Sequence, residues 1–233
     1  MASTHSVATW PTDDLAIGFL AVLDPDQSKD LERVGVRRRF RRGQALFHQR
    51  GSPDRVVILL RGRVKVTRVT DEGKEIVLAI RGPGDLLGEL SAIDGEPRSA
   101  TVEAVEPVEA LAISSRDFRS FLIGHPEVSL LLLQMISHRL RDADRVRVEY
   151  GAHDTVGRVS ARLVELAERY GEPVGGGVRI GLSLSQEELA GWTGASREAV
   201  ARALRTLRDV GWVATERRRI TVLDLEALRR RSA

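Results

Sequence analysis

The sequence predicts an α+β chain: a small, jelly-roll-like β-roll, then one long helix, then a second, mostly helical domain ending in a short wing of strands. Three observations predict it. Between Val36 and Ile113, apolar residues recur in short strand-length runs separated by Gly- and Asp-bearing turns. From Val128 to Tyr150 their spacing changes to three and four, with no Gly or Pro. Beyond Asp154, helix-capping residues recur at helix-length intervals. A chain of 233 residues holds one large domain or two modest ones.

In chain order, residues 1–14 read as a disordered tail, and two short helical patterns follow around Asp14–Val22 and Asp26–Val34. The runs "RVVILL", "RVKVTRV", "EIVLAI", "ATVEAV" and "VEALAI" then alternate as half-buried strands do, with "RGSPD", "DEGKE" and "RGPGD" as turns between them. Several short strands at this spacing predict a small sandwich or barrel-like roll. The basic run "VRRRFRR" (Val36–Arg42) belongs to this β region and reads as a solvated strand face. In the long helix, Val128, Leu131, Leu132, Met135, Ile136, Leu140, Ala143 and Val146 form an apolar stripe. A helix longer than its own domain needs is expected to lay that stripe against a second copy, giving a homodimer. Asp154 is a good N-cap for "TVGRVSARLVELAERYG", which Gly171 closes. The expected layout is therefore a roll over 15–124, the long helix and hinge over 125–153, and a last domain over 154–233.

Composition narrows the function. Without cysteine the chain has no disulfide, no thiolate nucleophile and no cysteine-ligated iron–sulfur cluster. Its five histidines are scattered, with no metal-ligand spacing, so no metal is expected. No apolar run is long enough to span a bilayer, and the first residues lack the basic-then-apolar pattern of a secretory signal, so a cytoplasmic address and no membrane partner are expected. The net charge is +3, of which Thr155 onward contributes +4 from 14 Arg against 10 acidic residues. That is a mild lean of the last domain toward an anionic partner.

"LSLSQEELAGWTGASREAVARALRTLRDVGW" is the most informative stretch. Ser185 caps one helix, with Glu188 completing a capping box. That helix breaks at Gly194, and Ser196 caps the next, giving the pattern of a helix-turn-helix after "GEPVGGG", a Gly-rich turn. In the second helix Ala199, Val200, Ala203, Leu204 and Leu207 make the buried stripe, leaving Arg197, Glu198, Arg202 and Arg205 on the open face. Arg takes guanine O6 and N7 bidentately, and Glu accepts from cytosine N4. A two-stranded wing, "GWVATERRRITVLD", places Arg217, Arg218 and Arg219 where phosphates would lie, and "LEALRRRS" is a terminal helix. The expected partner is double-stranded DNA. No nucleophile–base pair or phosphate-transfer motif accompanies this domain, so an enzyme is not expected.

One stretch of the roll stands apart. "GELSAIDGEPRSAT" (Gly88–Thr101) sets Glu89 nine residues before Arg98 among small and apolar residues. Either the two form an ion pair, or they form a socket for a sugar phosphate.

With these motifs in place, the chain from about residue 15 to 230 resembles the bacterial cyclic-AMP receptor protein/FNR transcription regulators. "GASREAVARALRTL" is similar to their recognition helix, and the resemblance implies that Arg197, Glu198 and Arg202 read a palindromic TGTGA-type site. "GELSAIDGEPRSAT" is similar to their phosphate-binding cassette, implying cyclic-nucleotide control by cyclic AMP or, alternatively, cyclic GMP. Amides at Gly88, Glu89 and Leu90 and the Arg98 and Ser99 side chains would then hold the cyclic phosphate. Glu89 repels an anion and would accept from the ribose 2′-OH, while Val66 and Leu78 wall the pocket. Alignment back from the hinge puts Ala143 and Asp144 where the family's cyclic-AMP sensors carry a Thr-Ser pair against the purine, and Asp144 suits adenine or guanine. An activator of this family would also touch RNA polymerase. Two other functions stay open: the same DNA-binding regulator without a nucleotide, and a cyclic-nucleotide-responsive regulatory subunit of an enzyme.

Overall fold

The computed structural model describes residues 18–182 and 184–232. The expected tail over 1–14, and the start of the first helical pattern, lie outside the described residues. A 3₁₀ turn, Phe19–Val22, precedes α1 (Pro25–Val34), whose N-cap Asp24 forms a full capping box with Gln27. The roll follows as β1 (Val36–Phe40), β2 (Ala45–Phe47), β3 (Arg55–Arg61), β4 (Val64–Val69), β5 (Glu75–Arg81), β6 (Leu86–Leu87), α2 (Glu89–Asp94), β7 (Thr101–Ala104) and β8 (Val108–Ser114). Its two four-stranded sheets run β1-β8-β3-β6 and β2-β7-β4-β5.

The unbroken apolar run of β3 has a simple cause: both of its faces are buried. Val57 and Leu59 point between the two sheets with Leu46, Phe47, Val64 and Val102. Val56 and Ile58 point the other way, against Phe19, Leu31, Ile113 and Phe118. Register is fixed by β8, with Val57 opposite Ala112 and Leu59 opposite Ala110. β1 pairs with β8 at the sheet edge, and its arginines are exposed, as a solvated strand face requires.

Two helices close the unit, α3 (Ser115–Gly124) and α4 (Pro126–Ala152). Here the structure corrects the sequence reading. Val128, Leu132 and Met135 belong to the roll's own core, and Leu131 is buried as well. The large apolar residues of α4 that stay exposed, among the described residues, are Leu130, Leu133, Leu140 and Val148, a different face. The sequence stripe merged two faces because leucine fills four successive positions, 130 to 133, and spacing alone cannot divide such a run.

The chain divides into two compact units within α4, between Arg141 and Asp142, with Lys74–Val77 grouped with the second. The second unit continues with α5 (Thr155–Tyr170), β9 (Gly171–Val174), β10 (Gly177–Ile180), α6 (Gln186–Thr193), α7 (Arg197–Asp209), β11 (Val213–Glu216), β12 (Arg219–Val222) and α8 (Leu225–Arg231). Asp154 caps α5 through the Gly157 N–H at 2.8 Å and pairs with Arg231 of α8. The expected two-stranded wing is a four-stranded sheet in the order β11-β12-β10-β9, because "GEPVGGGVRI" folds as a hairpin turning at Gly175 and Gly176. Pro173 and the glycines hid it. Proline is tolerated on this edge strand, where its missing N–H breaks no inner ladder. No single helix among the described residues is long and apolar enough to cross a membrane.

Candidate nucleotide site and nucleic-acid interface

The cassette begins where β6 turns into α2. Gly88 adopts φ +80°, and a Cβ there would lie 2.5 Å from Arg98 Nη1 and 3.2 Å from the Phe47 ring. Only glycine fits such a bend. Arg98 is buried, at 4% exposure. Its Nε donates to Ser52 O at 3.0 Å, Nη1 to Gly88 O at 3.0 Å, and Nη2 to Asp54 Oδ1 at 3.2 Å and Arg55 O at 2.5 Å. The guanidinium stacks on Phe47, 4.1 Å from the ring centroid. Burial lowers its pKa and the hydrogen bond to Asp54 opposes that shift, but an arginine starts so high that it stays charged. Four contacts use most of its donors, leaving one Nη1 hydrogen uncommitted.

Glu89 does not pair with Arg98. Its buried carboxylate accepts from Arg139 Nη1 of α4 at 2.7 Å, and Arg139 Nη2 donates to Leu86 O at 3.0 Å. Arg139 also lies 3.6 Å from Asp85. Leu90 and Ser99 are exposed; Val66 is half-buried against the roll core; Leu78 of β5 is exposed. Ala143 and Asp144 fall in the second unit, both exposed, with Asp144 3.4 Å from Arg147 one turn on.

The second unit carries the helix-turn-helix. At α6, Ser185 Oγ accepts from Glu188 N at 3.1 Å while Ser185 N donates to the Glu188 carboxylate at 2.8 Å. The Ser185 hydroxyl also donates to that carboxylate at 2.7 Å, so its hydrogen is committed to the cap and not free for a phosphate. α6 ends on Gly194 in the left-handed region at φ +61°, and Ser196 caps α7 by accepting from Ala199 N at 3.2 Å. Val200, Ala203, Leu204 and Leu207 are buried, whereas Arg197, Glu198, Arg202 and Arg205 are exposed. The Glu198 carboxyl is held below its ordinary range, first by its own backbone N–H at the helix start and then by Ser196, so it is an ionised acceptor at neutral pH. In the wing, Glu216 and Arg219 close the β11–β12 hairpin, and Arg218 occupies its turn at φ +58°. Arg217, Arg218 and Arg219 are exposed, and Arg208 Nη1 donates to Thr215 Oγ1 at 2.8 Å, tying α7 to the wing. Among the described residues, none of Arg197, Arg202, Arg205 and Arg217–Arg219 forms a salt bridge.

Two family models match: the cyclic nucleotide-binding domain over residues 37–125 and the Crp-like helix-turn-helix domain over 157–231. The CRP-like cAMP-activated global transcriptional regulator of Mycobacterium tuberculosis is 36% identical over 193 residues, covering 83% of this chain and 86% of that one. This chain belongs to the CRP/FNR family of transcriptional regulators. It is a CRP-like DNA-binding regulator with a cyclic-nucleotide-binding domain, and not an enzyme. The global nitrogen regulator of Synechocystis is also similar, at 33% over 192 residues, covering 81% of this chain and 85% of the relative. Among solved structures, FixK2 of Bradyrhizobium japonicum shares the fold with a TM-score of 0.74 at 21% identity, over 86% of this chain and 98% of its own. A CRP-family regulator of Thermus thermophilus gives 0.71 at 26%, over 84% and 96%.

Sequence reasoning missed Arg139 and Asp54, the partners that hold Glu89 and Arg98. Arg139 had a readable sign: it stands four residues after Met135, in line with the core face of α4, where an unpaired charge would be costly. Asp54 had none, because it reaches Arg98 across 44 residues.

Proposed function

We propose that this regulator is a homodimer that binds a palindromic TGTGA-type site and is controlled by a cyclic nucleotide, cyclic AMP first and cyclic GMP as the alternative. The observation that carries the reading is the Glu89–Arg139 pair at 2.7 Å, which ties the acid of the cassette to the long helix. A ribose 2′-OH donating to Glu89 enters that same bond, so occupancy is felt by α4. The amides of the first turn of α2, the remaining Arg98 Nη1 hydrogen and the Ser99 hydroxyl supply donors for the cyclic phosphate. Val66 and Leu78 wall the base, and Ala143 and Asp144 take the purine positions. Because one relative is named for cyclic AMP and another for nitrogen regulation, the base is the open half of the assignment.

On the DNA side, Arg197, Glu198, Arg202 and Arg205 read bases from α7, Ser196 holds the start of that helix, and Arg217–Arg219 take phosphates. The two copies meet through Leu130, Leu133 and Leu140, with the hinge at Gly151–Asp154 carrying the effector's influence onward. As an activator it contacts RNA polymerase. A regulator without a nucleotide effector is the second reading, favoured by the commitment of Arg98 to backbone acceptors inside the roll. Calorimetric titration with cyclic AMP, cyclic GMP and 2′-deoxy cyclic AMP separates them. The first reading expects one ribonucleotide to bind and the deoxy analogue to bind more weakly; no heat with any of the three gives the case to the second.

A further inference from the structure

Strand β1 alternates, so Val36, Arg38 and Phe40 share one face. That face lines a cavity of about 490 Å³, within the size range of small-molecule sites. Val36, Phe40 and Ala112 give it an apolar lining, while Arg38, Arg55 and Ser114 add polar groups. Arg55 is held in place: Nη1 donates to Asp54 Oδ2 at 2.6 Å and Nη2 to Leu46 O at 3.2 Å. Its Nε and further Nη hydrogens stay available. Arg38 is exposed and has no hydrogen bond or ion pair among the described residues.

The acids nearby are already engaged. Asp54 divides its two oxygens between Arg98 and Arg55, and Glu109 accepts from Arg39 at 2.7 Å. Asp117, the third acid, accepts from the Ser114 hydroxyl at 2.6 Å. Arg38, Arg39, Arg55 and Arg98 therefore stand against Asp54, Glu109 and Asp117, and among the described residues Arg38 is the guanidinium left without a carboxylate, beside an apolar surface. We propose that this cavity is a second ligand site, taking a small organic anion: a carboxylate, sulfonate or phosphate ester on an aryl or short alkyl body. Arg38 and Arg55 bind the charged group, and Phe40 and Ala112 receive the body. Asp54 links the site to the cassette, because an anion drawing on Arg55 alters the carboxylate that also holds Arg98.

The test uses the full-length protein and 2-naphthoate as probe, followed by amide and arginine Nε–H NMR. Neutral 2-naphthamide and inorganic phosphate supply the body and the charge separately. The expected result is movement of the Arg38, Gln44 and Ser114 amides and of the Arg98 Nε–H with naphthoate. Each control should bind about tenfold more weakly, as loss of a charge-assisted contact or of apolar burial implies. Arg38→Gln, at an exposed position, should reduce naphthoate affinity by a similar factor while leaving the melting temperature unchanged. Equal binding of the amide, an unchanged affinity in Arg38→Gln, or shifts confined to Leu130, Leu133 and Leu140 would overturn the site. So would an oligoglutamate peptide that moves these amides where naphthoate does not, which would make the surface a polypeptide contact. Binding without movement of the Arg98 Nε–H would break the Asp54 link. None of these readings depends on a cyclic nucleotide.

Discussion

Substituting Leu133 by Glu separates the two faces of α4. Leu133 is 60% exposed, as is Leu140, with Leu130 at 41%, whereas Met135 is 3% exposed within the roll core. Burying a whole leucine side chain contributes roughly 1.5–3 kcal/mol, so the exposed part of Leu133 is worth about 1–2 kcal/mol per copy. A two-fold interface contains the residue twice, so the variant removes roughly 2–4 kcal/mol of association and adds a like-charge pair. At 1.4 kcal/mol per decade, the dimer Kd rises by roughly 30- to 700-fold. The isolated unit should keep its stability within about 0.5 kcal/mol, as exposed sites do. Met135→Ala should behave in the opposite way, lowering unfolding stability by about 2–5 kcal/mol with a much smaller change in Kd. Sedimentation equilibrium and thermal melts of both variants check this. A Leu133→Glu dimer as tight as the wild type would refute the reasoning, as would Met135→Ala monomers with an unchanged melt.

Arg197→Ala should weaken binding to the preferred DNA by about 1–3 kcal/mol and relax the preference at one base pair per half-site. Arg218→Ala should weaken all sequences alike and flatten the salt dependence; selection experiments at several salt concentrations tell the two apart. Arg98→Leu leaves the Ser52, Gly88 and Arg55 carbonyls and Asp54 Oδ1 without their donor, so roll stability should fall by roughly 3–5 kcal/mol, read as a lowered melt before any ligand is added. The Asp154 carboxyl is held below its ordinary range, first by the Gly157 N–H and then by Arg231. Its stabilising contribution is present above the usual Asp value of about 4 and is lost as pH falls through the lowered folded value. Asp154→Asn should therefore melt earlier than the wild type at pH 7, by about 0.5–1 kcal/mol, with the gap closing in acid. A gap that persists in acid would point to shape instead of charge.

Much of this architecture was legible because local chemistry and tertiary role agree. Ser185, Ser196 and Asp154 act as caps where the sequence placed them, since capping needs only the next turn. Six of the eight strands of the roll were readable from local runs, whereas β2, with three residues, and β6, with two, are too short to carry a pattern. What escaped reading depends on distant partners. Four consecutive leucines could not be assigned to core or surface until the roll was in place. The β9–β10 hairpin hid behind Pro173 and its glycines, and gains its stability from Val178 and Arg179 pairing with β12, some 40 residues on. In the cassette the residue types were readable, but their pairing was not. Glu89 and Arg98 lie nine positions apart, yet each finds a different partner, Arg139 and Asp54, brought close only by the folded roll.

The most direct measurement is DNA affinity of the full-length dimer for a TGTGA-type palindrome, at fixed salt, with and without saturating cyclic AMP or cyclic GMP. A ligand shifts the active state only by its differential affinity, and typical couplings of 1–3 kcal/mol correspond to about 5- to 150-fold. A tightening in that range is expected with one of the two nucleotides. Full DNA affinity without either, unchanged on adding both, would contradict it.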